Sequence, residues 1–199
     1  MAKGMLLNPT KTKVLDICTT GKILLDSIVD RASGDIIATV DHARLLGVIF
    51  QADMRWTKHI ADVTTRASKR LFALLQLRRS GTSSLIMWRV YCAIIRSTLS
   101  YAYPAWCNAT SSAFSNLVRI ERRASKIGVW RADPPIDKFC DGLCKSLMKT
   151  VILDSRHPLR ELFDTPVQHG RPSTRSSGEF APPFAKTQRL FNSFIKFAR

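Results

Sequence analysis

An α+β fold is predicted by three features of the sequence. Short β-branched apolar runs separated by turn residues fill positions 5 to 50, and apolar residues three and four apart dominate from Thr57 to Leu153. After His157-Pro158 the composition changes to the Gly, Pro, Ser and Arg of a flexible tail, most clearly over Gly170 to Pro183. The expected architecture is a few short N-terminal strands over residues 1–53, a bundle of about four helices over 54–155, and an irregular basic C-terminal tail over 156–199.

Met5 to Leu7 and Val14 to Ile17 flank Asn8-Pro9-Thr10-Lys11, where Asn-Pro signals a turn and predicts a hairpin-like or helix-to-strand join. Ile23 to Val29 and Ile36 to Val40 are further short strands, separated by Ser33-Gly34-Asp35 with good turn chemistry. Leu45 to Phe50 is a continuous apolar run of strand length, and Gly47 within it signals a bend or a close backbone approach. These strands are too few for a large sheet, so the set predicts the edge of a sheet whose other strands lie elsewhere.

The period then changes. Ile60, Val63, Ala67, Leu71, Leu74 and Leu75 share one side of a helix that begins near Thr57 and closes at Gly81. A second helix, capped by Thr82 or Ser83, turns Leu85, Trp88, Val90, Tyr91, Ile94, Ile95 and Leu99 to a broad apolar face. Pro104 interrupts the chain. A third helix from Ser111 or Ser112 places Phe114, Leu117, Ile120, Ala124 and Ile127 inward, and Ile136 to Leu153 forms a fourth with Phe139, Leu143, Leu147 and Val151 at helical spacing.

Charge points to the partner. The chain has 31 Lys and Arg against 15 Asp and Glu, a net +16 with a pI near 10.3. An excess of that size attracts a polyanion, and nucleic acid is the default. Within Met54 to Arg79 seven cations face one acid, Asp62. Lys58, Arg66, Lys69, Arg70, Arg78 and Arg79 on the first helix, with Arg119, Arg122, Arg123 and Lys126 on the third, are the expected phosphate contacts. No apolar run of about 18 residues and no signal-peptide h-region is present, which predicts no membrane span and an intracellular chain, nuclear or cytoplasmic. Five cysteines, an odd number, read as free thiols.

Five spaced motifs carry a resemblance: Leu7-Asn8-Pro9-Thr10-Lys11-Thr12-Lys13-Val14-Leu15, Leu45-Leu46-Gly47-Val48, Trp56-Thr57-Lys58-His59-Ile60, Tyr101-Ala102-Tyr103-Pro104-Ala105-Trp106 and Ile120-Glu121-Arg122-Arg123-Ala124. In order and spacing the sequence resembles the reverse transcriptases of non-LTR, jockey-like retrotransposons. His157-Pro158-Leu159 and Arg189 to Ile195 extend the likeness towards the C-terminus. The resemblance implies the C-terminal edge of the palm, a primer-grip-like strand at Leu46, Gly47 and Val48, and a thumb from Thr57 onward that lies along primer-template duplex. It puts Lys11 where that family has a lysine assisting proton transfer to pyrophosphate, and it implies Mg2+ for the intact parent enzyme. The paired aspartates that hold metal in the family are absent, because the sequence contains no Asp-Asp pair. In the parent they precede residue 1. The chain by itself is therefore expected to bind RNA-DNA or DNA duplex through phosphates without polymerising, in company with the missing N-terminal part of the polymerase.

Other readings are weighed against these. Cys140, Cys144, His157 and His169 suit zinc by type, but the spacing fits no common finger, and cysteines four apart among Phe139, Leu143 and Leu147 read as core residues; no metal site is expected. His59 has no nucleophile partner and reads as a packing or phosphate-binding residue. Trp88, Tyr91, Tyr101, Tyr103 and Trp106 offer stacking surfaces, yet Trp88 and Tyr91 lie on an apolar helix face and read as core. The rivals in function are a stand-alone basic helical binding or interaction protein and a membrane-surface protein using cationic helices on anionic lipid.

Overall fold

The computed structural model describes residues 8, 10–18, 27–31, 33–129 and 134–162. The chain forms two compact units, Met1–Ala61 and Asp62–Arg199. The run at 5–7, most of the run at 23–29, the tail from 163 onward with His169, and the closing motif at 189–195 lie outside the described residues.

Among the described residues the N-terminal unit has two separate antiparallel hairpins. β1 (Ser27–Val29) pairs with β2 (Ile36–Ala38), Ser27 opposite Ala38. Their turn is built as its residues demand: Gly34 takes a φ of 78°, its N–H donates to the Asp30 carbonyl at 2.8 Å, and the Ser33 hydroxyl donates to the Asp30 carboxylate at 2.9 Å. Val14 bridges Thr39 in parallel, and the Val40 N–H donates to the Val14 carbonyl. Asn8 opens the preceding turn, accepting from the Thr10 N–H on its side chain and from the Lys11 and Thr12 N–H groups on its carbonyl.

The apolar run at Leu45 to Phe50 is not one strand but the fold-back of a hairpin. β3 (His42–Leu45) and β4 (Val48–Gln51) pair in register around Leu46-Gly47, with Leu45 opposite Val48. Both loop residues have positive φ, 47° and 87°, the signature of a type I′ turn whose twist matches that of its strands. Gly47 supplies the bend, and hydrophobicity alone does not distinguish one strand from two. Val48 and Ile49 are buried. Trp56 packs edge-on to Phe50 with centroids 5.3 Å apart, and His59 is buried with Nδ1 accepting the Ile49 N–H at 3.3 Å.

Helix α1 (Thr57–Arg79) starts in the N-terminal unit and continues into the C-terminal one. Gln51 at the end of β4 caps it: its Oε1 accepts from the Lys58 N–H at 2.7 Å and from the Thr57 hydroxyl at 3.1 Å. Its C-terminus is a Schellman motif, with the Gly81 N–H on the Arg78 carbonyl, the Thr82 N–H on the Leu77 carbonyl, and Gly81 at φ 72°.

In the C-terminal unit α2 (Ser84–Val90) runs into a π-helical segment, Tyr91–Arg96, and then α3 (Ser97–Ser100). The i→i+5 turns shift the phase of everything downstream. The buried apolar residues of this stretch are Met87, Tyr91, Ile95 and Leu99, with Arg96, Thr98 and Ser100 buried beside them, while Leu85, expected inside, is exposed. Ala102 takes a φ of 50°, and Pro104 sits in the first turn of α4 (Tyr103–Trp106). α5 (Ser111–Ile127) and α6 (Ile136–Leu153) complete the bundle. On α6 the core side carries Ile136, Cys140, Cys144, Met148 and Val151, one position round from the expected stripe. Of that stripe Phe139, Leu143 and Leu147 are half-buried and only Val151 is inside. The core side thus combines two small thiols with Ile136, Met148 and Val151, and Phe139, Leu143 and Leu147 lie on its flank. A 3₁₀ turn, Arg160–Leu162, ends the described chain.

Candidate nucleic-acid interface

Helix α5 is amphipathic in the fullest sense available to it. The Thr110 side chain caps its N-terminus by accepting from the Ala113 N–H at 3.3 Å, and Ala113, Leu117, Ile120, Glu121 and Ala124 are buried. Gly128, at φ 104°, closes the C-terminus in a second Schellman motif. The opposite face presents Arg119, Arg122, Arg123 and Lys126, all exposed, at the i, i+3, i+4, i+7 spacing that forms one stripe. Arg119 to Lys126 spans about 10 Å at 1.5 Å per residue, close to three base-pair rises of roughly 3.4 Å. The helix has a single acid, Glu121, which is 7% exposed and points into the core. No acid on α5 itself offsets the stripe. Arg119, Arg122 and Lys126 have no hydrogen bond or ion pair among the described residues, and Arg123 reaches only the Ser68 hydroxyl of α1, at 3.4 Å.

The α1 cations separate. Lys69 and Arg79 are exposed and unpaired among the described residues. Arg66 is paired with Asp62 at 2.8 Å one turn back. Arg70 reaches along the bundle to the π-helical segment, donating to the Ile94 carbonyl at 2.6 Å and to the Thr98 hydroxyl. Arg78 donates to the Ile127 carbonyl at 2.5 Å, so its cation sits on the last turn of α5, where the helix dipole favours it. Lys58 belongs to the N-terminal unit, where its ammonium bonds the Asp41 carboxylate beside His42. Lys58 first and His42 second hold the Asp41 carboxyl at about 2. Of the ten cations expected on phosphate, the structure brings Arg119, Arg122, Arg123 and Lys126 into one row, leaves Lys69 and Arg79 open, and engages the other four in bonds within the chain.

In the N-terminal unit Lys11 is exposed at the rim of a hollow of about 610 Å³, with Lys13 and Arg44 as the other cations and Leu15, Ile17 and Phe50 on its apolar wall. Lys13 and Arg44 were not singled out by charge pattern, because the hollow is made by the parallel bridge between segments far apart in sequence. Leu46 projects from the β3–β4 tip 85% exposed in a left-handed conformation, beside Gly47 and the buried Val48.

Two buried charges also escaped the sequence pattern, although Glu121 follows the 117, 120, 121, 124 spacing of the core stripe. Glu121 Oε2 accepts the Ile136 N–H at 3.1 Å and so caps α6, and burial pushes its carboxyl above the usual range. Arg96 donates to the Pro134 carbonyl, just before α6. Tyr103 and Trp106 are buried edge to face, centroids 4.8 Å apart, and Tyr91 is buried against the half-buried Trp88; only Tyr101 of the candidate stacking aromatics is exposed. Burial raises the Cys140 thiol to about 12, and the neighbouring Cys107 thiol, then burial, raise that of Cys144. His157 Nδ1 accepts the Leu159 N–H at 3.1 Å. Among the described residues no group of three or more His, Cys, Asp or Glu converges as metal ligands, so no carboxylate set here fits a two-metal centre. Among them too, no helix is long and apolar enough to cross a membrane.

No protein-family model matches the sequence, and neither a curated protein nor a solved structure proves similar to it.

Proposed function

We propose that the chain is the palm edge and thumb of a non-LTR-type reverse transcriptase and that it grips primer-template duplex through phosphates. The observation that carries this reading is the α5 row: four exposed cations at i, i+3, i+4, i+7 on a helix whose single acid is buried. Such a row contacts backbone phosphates without reading bases. Lys69 and Arg79 extend the cationic surface of the C-terminal unit. Support from the N-terminal unit is the hairpin tip at Leu46-Gly47, an apolar knuckle suited to a primer strand, and the hollow with Lys11, Lys13 and Arg44, which offers cations above an apolar wall. The chain's own residues bind and orient the duplex; bond formation belongs to carboxylates elsewhere in the parent polymerase, and the metal would be held there.

The test is titration of the 199-residue chain with a short RNA-DNA duplex across a salt series. Binding that is indifferent to sequence and falls linearly in log K against log salt is expected, each neutralised phosphate contributing a slope of about −0.9. Absence of duplex binding at low salt, with anionic liposomes bound instead, overturns the reading.

A further inference from the structure

The half-buried stripe of α6 does not face empty solvent. Phe139, Leu143 and Leu147 form one wall of a groove of about 570 Å³, a size typical of small-molecule sites. Its other wall comes from the π-helical segment, α3 and the strained turn before α4, with Cys92, Ala102 and Pro104 as the apolar contributors. A π-helical segment and a left-handed non-glycine residue are both features that concentrate at functional sites, and here they meet in one groove.

Among the described residues three polar side chains line it, and they differ in what they offer. Ser97 and Ser100 donate their hydroxyl protons to backbone carbonyls, Ala93 at 2.5 Å and Arg96 at 2.9 Å. Arg96 is 5% exposed, with its guanidinium over the Phe139 ring at 4.2 Å and the Trp88 ring at 5.3 Å. It makes one hydrogen bond, to the Pro134 carbonyl, and its Nε has no partner among the described residues. No carboxylate among them lies within ion-pair distance of it; the Glu121 carboxylate, with Oε2 on the Ile136 N–H and Oε1 without a hydrogen-bond partner, acts on it only from farther off. A cation largely taken out of water thus lines an apolar groove with part of its hydrogen-bonding capacity unused.

We propose that this groove binds a small amphipathic carboxylate, its anionic end on Arg96 and its apolar body along Phe139, Leu143 and Leu147. Guanidinium and carboxylate match in charge and fork geometry, and an apolar wall has nothing to offer a sugar or a polyphosphate beyond that single cation. From Phe139 to Leu147 the wall runs about 12 Å at 1.5 Å per residue, the length of a medium aliphatic chain. The inference is independent of duplex binding, because the groove residues are not those of the α5 row.

Decanoate is the probe, with decanol as its uncharged counterpart, titrated into the 199-residue chain by calorimetry and by the fluorescence of Trp88, which adjoins Arg96. Decanoate should bind and decanol should bind roughly tenfold more weakly, the factor one charge-assisted pair contributes. Arg96→Gln should abolish that preference. Because Arg96 also holds Pro134, a second variant, Leu147→Trp, fills the groove from its half-buried wall; it should keep the wild-type melting temperature and lose decanoate binding by at least about tenfold. Equal binding of decanoate and decanol, undiminished binding by Leu147→Trp, or no decanoate binding at millimolar concentration overturns the proposal.

Discussion

Glu121 shows how one side chain decides a helix junction. It is buried in a helix whose other charged side chains are cations, and it supplies the acceptor that α6 lacks, since Pro135 at the N-cap has no side-chain hydrogen bond to give. Glu121→Ala should cost about 1–3 kcal/mol by leaving the Ile136 N–H unsatisfied, measured by chemical denaturation. Glu121→Gln keeps the acceptor. The Glu121 carboxyl is raised in the fold by burial, so its contribution is complete below the ordinary carboxylate range and declines as pH rises through the folded value. The Gln variant should lack that decline, and a wild-type-like pH profile in it would sink the assignment. Arg78 and Arg122 make a second contrast between side chains of one type. Arg78→Ala removes the cation from the α5 C-terminus and should lower stability by about 0.5–1 kcal/mol with little change in duplex affinity. Arg122→Ala should do the reverse. In sequence the two arginines look alike, because each sits in a basic doublet; only the approach of α1 to the end of α5 separates them.

At the scale of elements, the α5 row and the β3–β4 hairpin each carry a prediction. Replacing Arg119, Arg122 and Lys126 together by Ala should reduce the salt slope of duplex binding by about 3 while leaving the melting temperature nearly unchanged. An unaltered slope would remove α5 from the interface. Leu46 occupies a position where Asn is at ease and a bulky apolar side chain is not. Leu46→Asn should therefore stabilise the hairpin by about 1 kcal/mol, and weaker duplex binding in the same variant would tie the strain to function. Denaturation and duplex titration on the same preparation read both. The hairpin was only partly legible: Gly47 marked a bend, but the flanking apolar residues are equally compatible with one strand or two. The π-helical segment left no signal in periodicity, and neither did the exposure of Leu85 and the burial of Met87 on the helix before it.

For the whole molecule, a net +16 makes polyanion attraction a property of the chain, while the fold decides which charges remain available for it. Order is unevenly distributed too. β1 is exposed throughout and Ile36 of β2 is 72% exposed, whereas α1, α5 and α6 bury a continuous set of side chains. Amide exchange should accordingly be fast at Ser27 to Val29 and at Ile36 and slowest at Leu71, Leu117 and Cys144; uniform protection would contradict the distribution of burial. By itself the sequence determined the α+β class, the limits of α1 and α6, the start of α5, and the cationic outer face of α5. Each follows from local chemistry: the 3.6-residue period, glycine at the Schellman position Gly81, and a cap at Thr110 adjoining the predicted start; that α5 ends at Gly128 is shown only by the structure. Tertiary structure alone decided that Arg70, Arg78 and Lys58 bond within the chain, that cysteines rather than Phe139 and Leu143 form the inner side of α6, and that Arg96 ends beside an apolar groove. Those outcomes depend on which element lies against which, and burial energies, unlike helical periods, are set by neighbours distant in sequence.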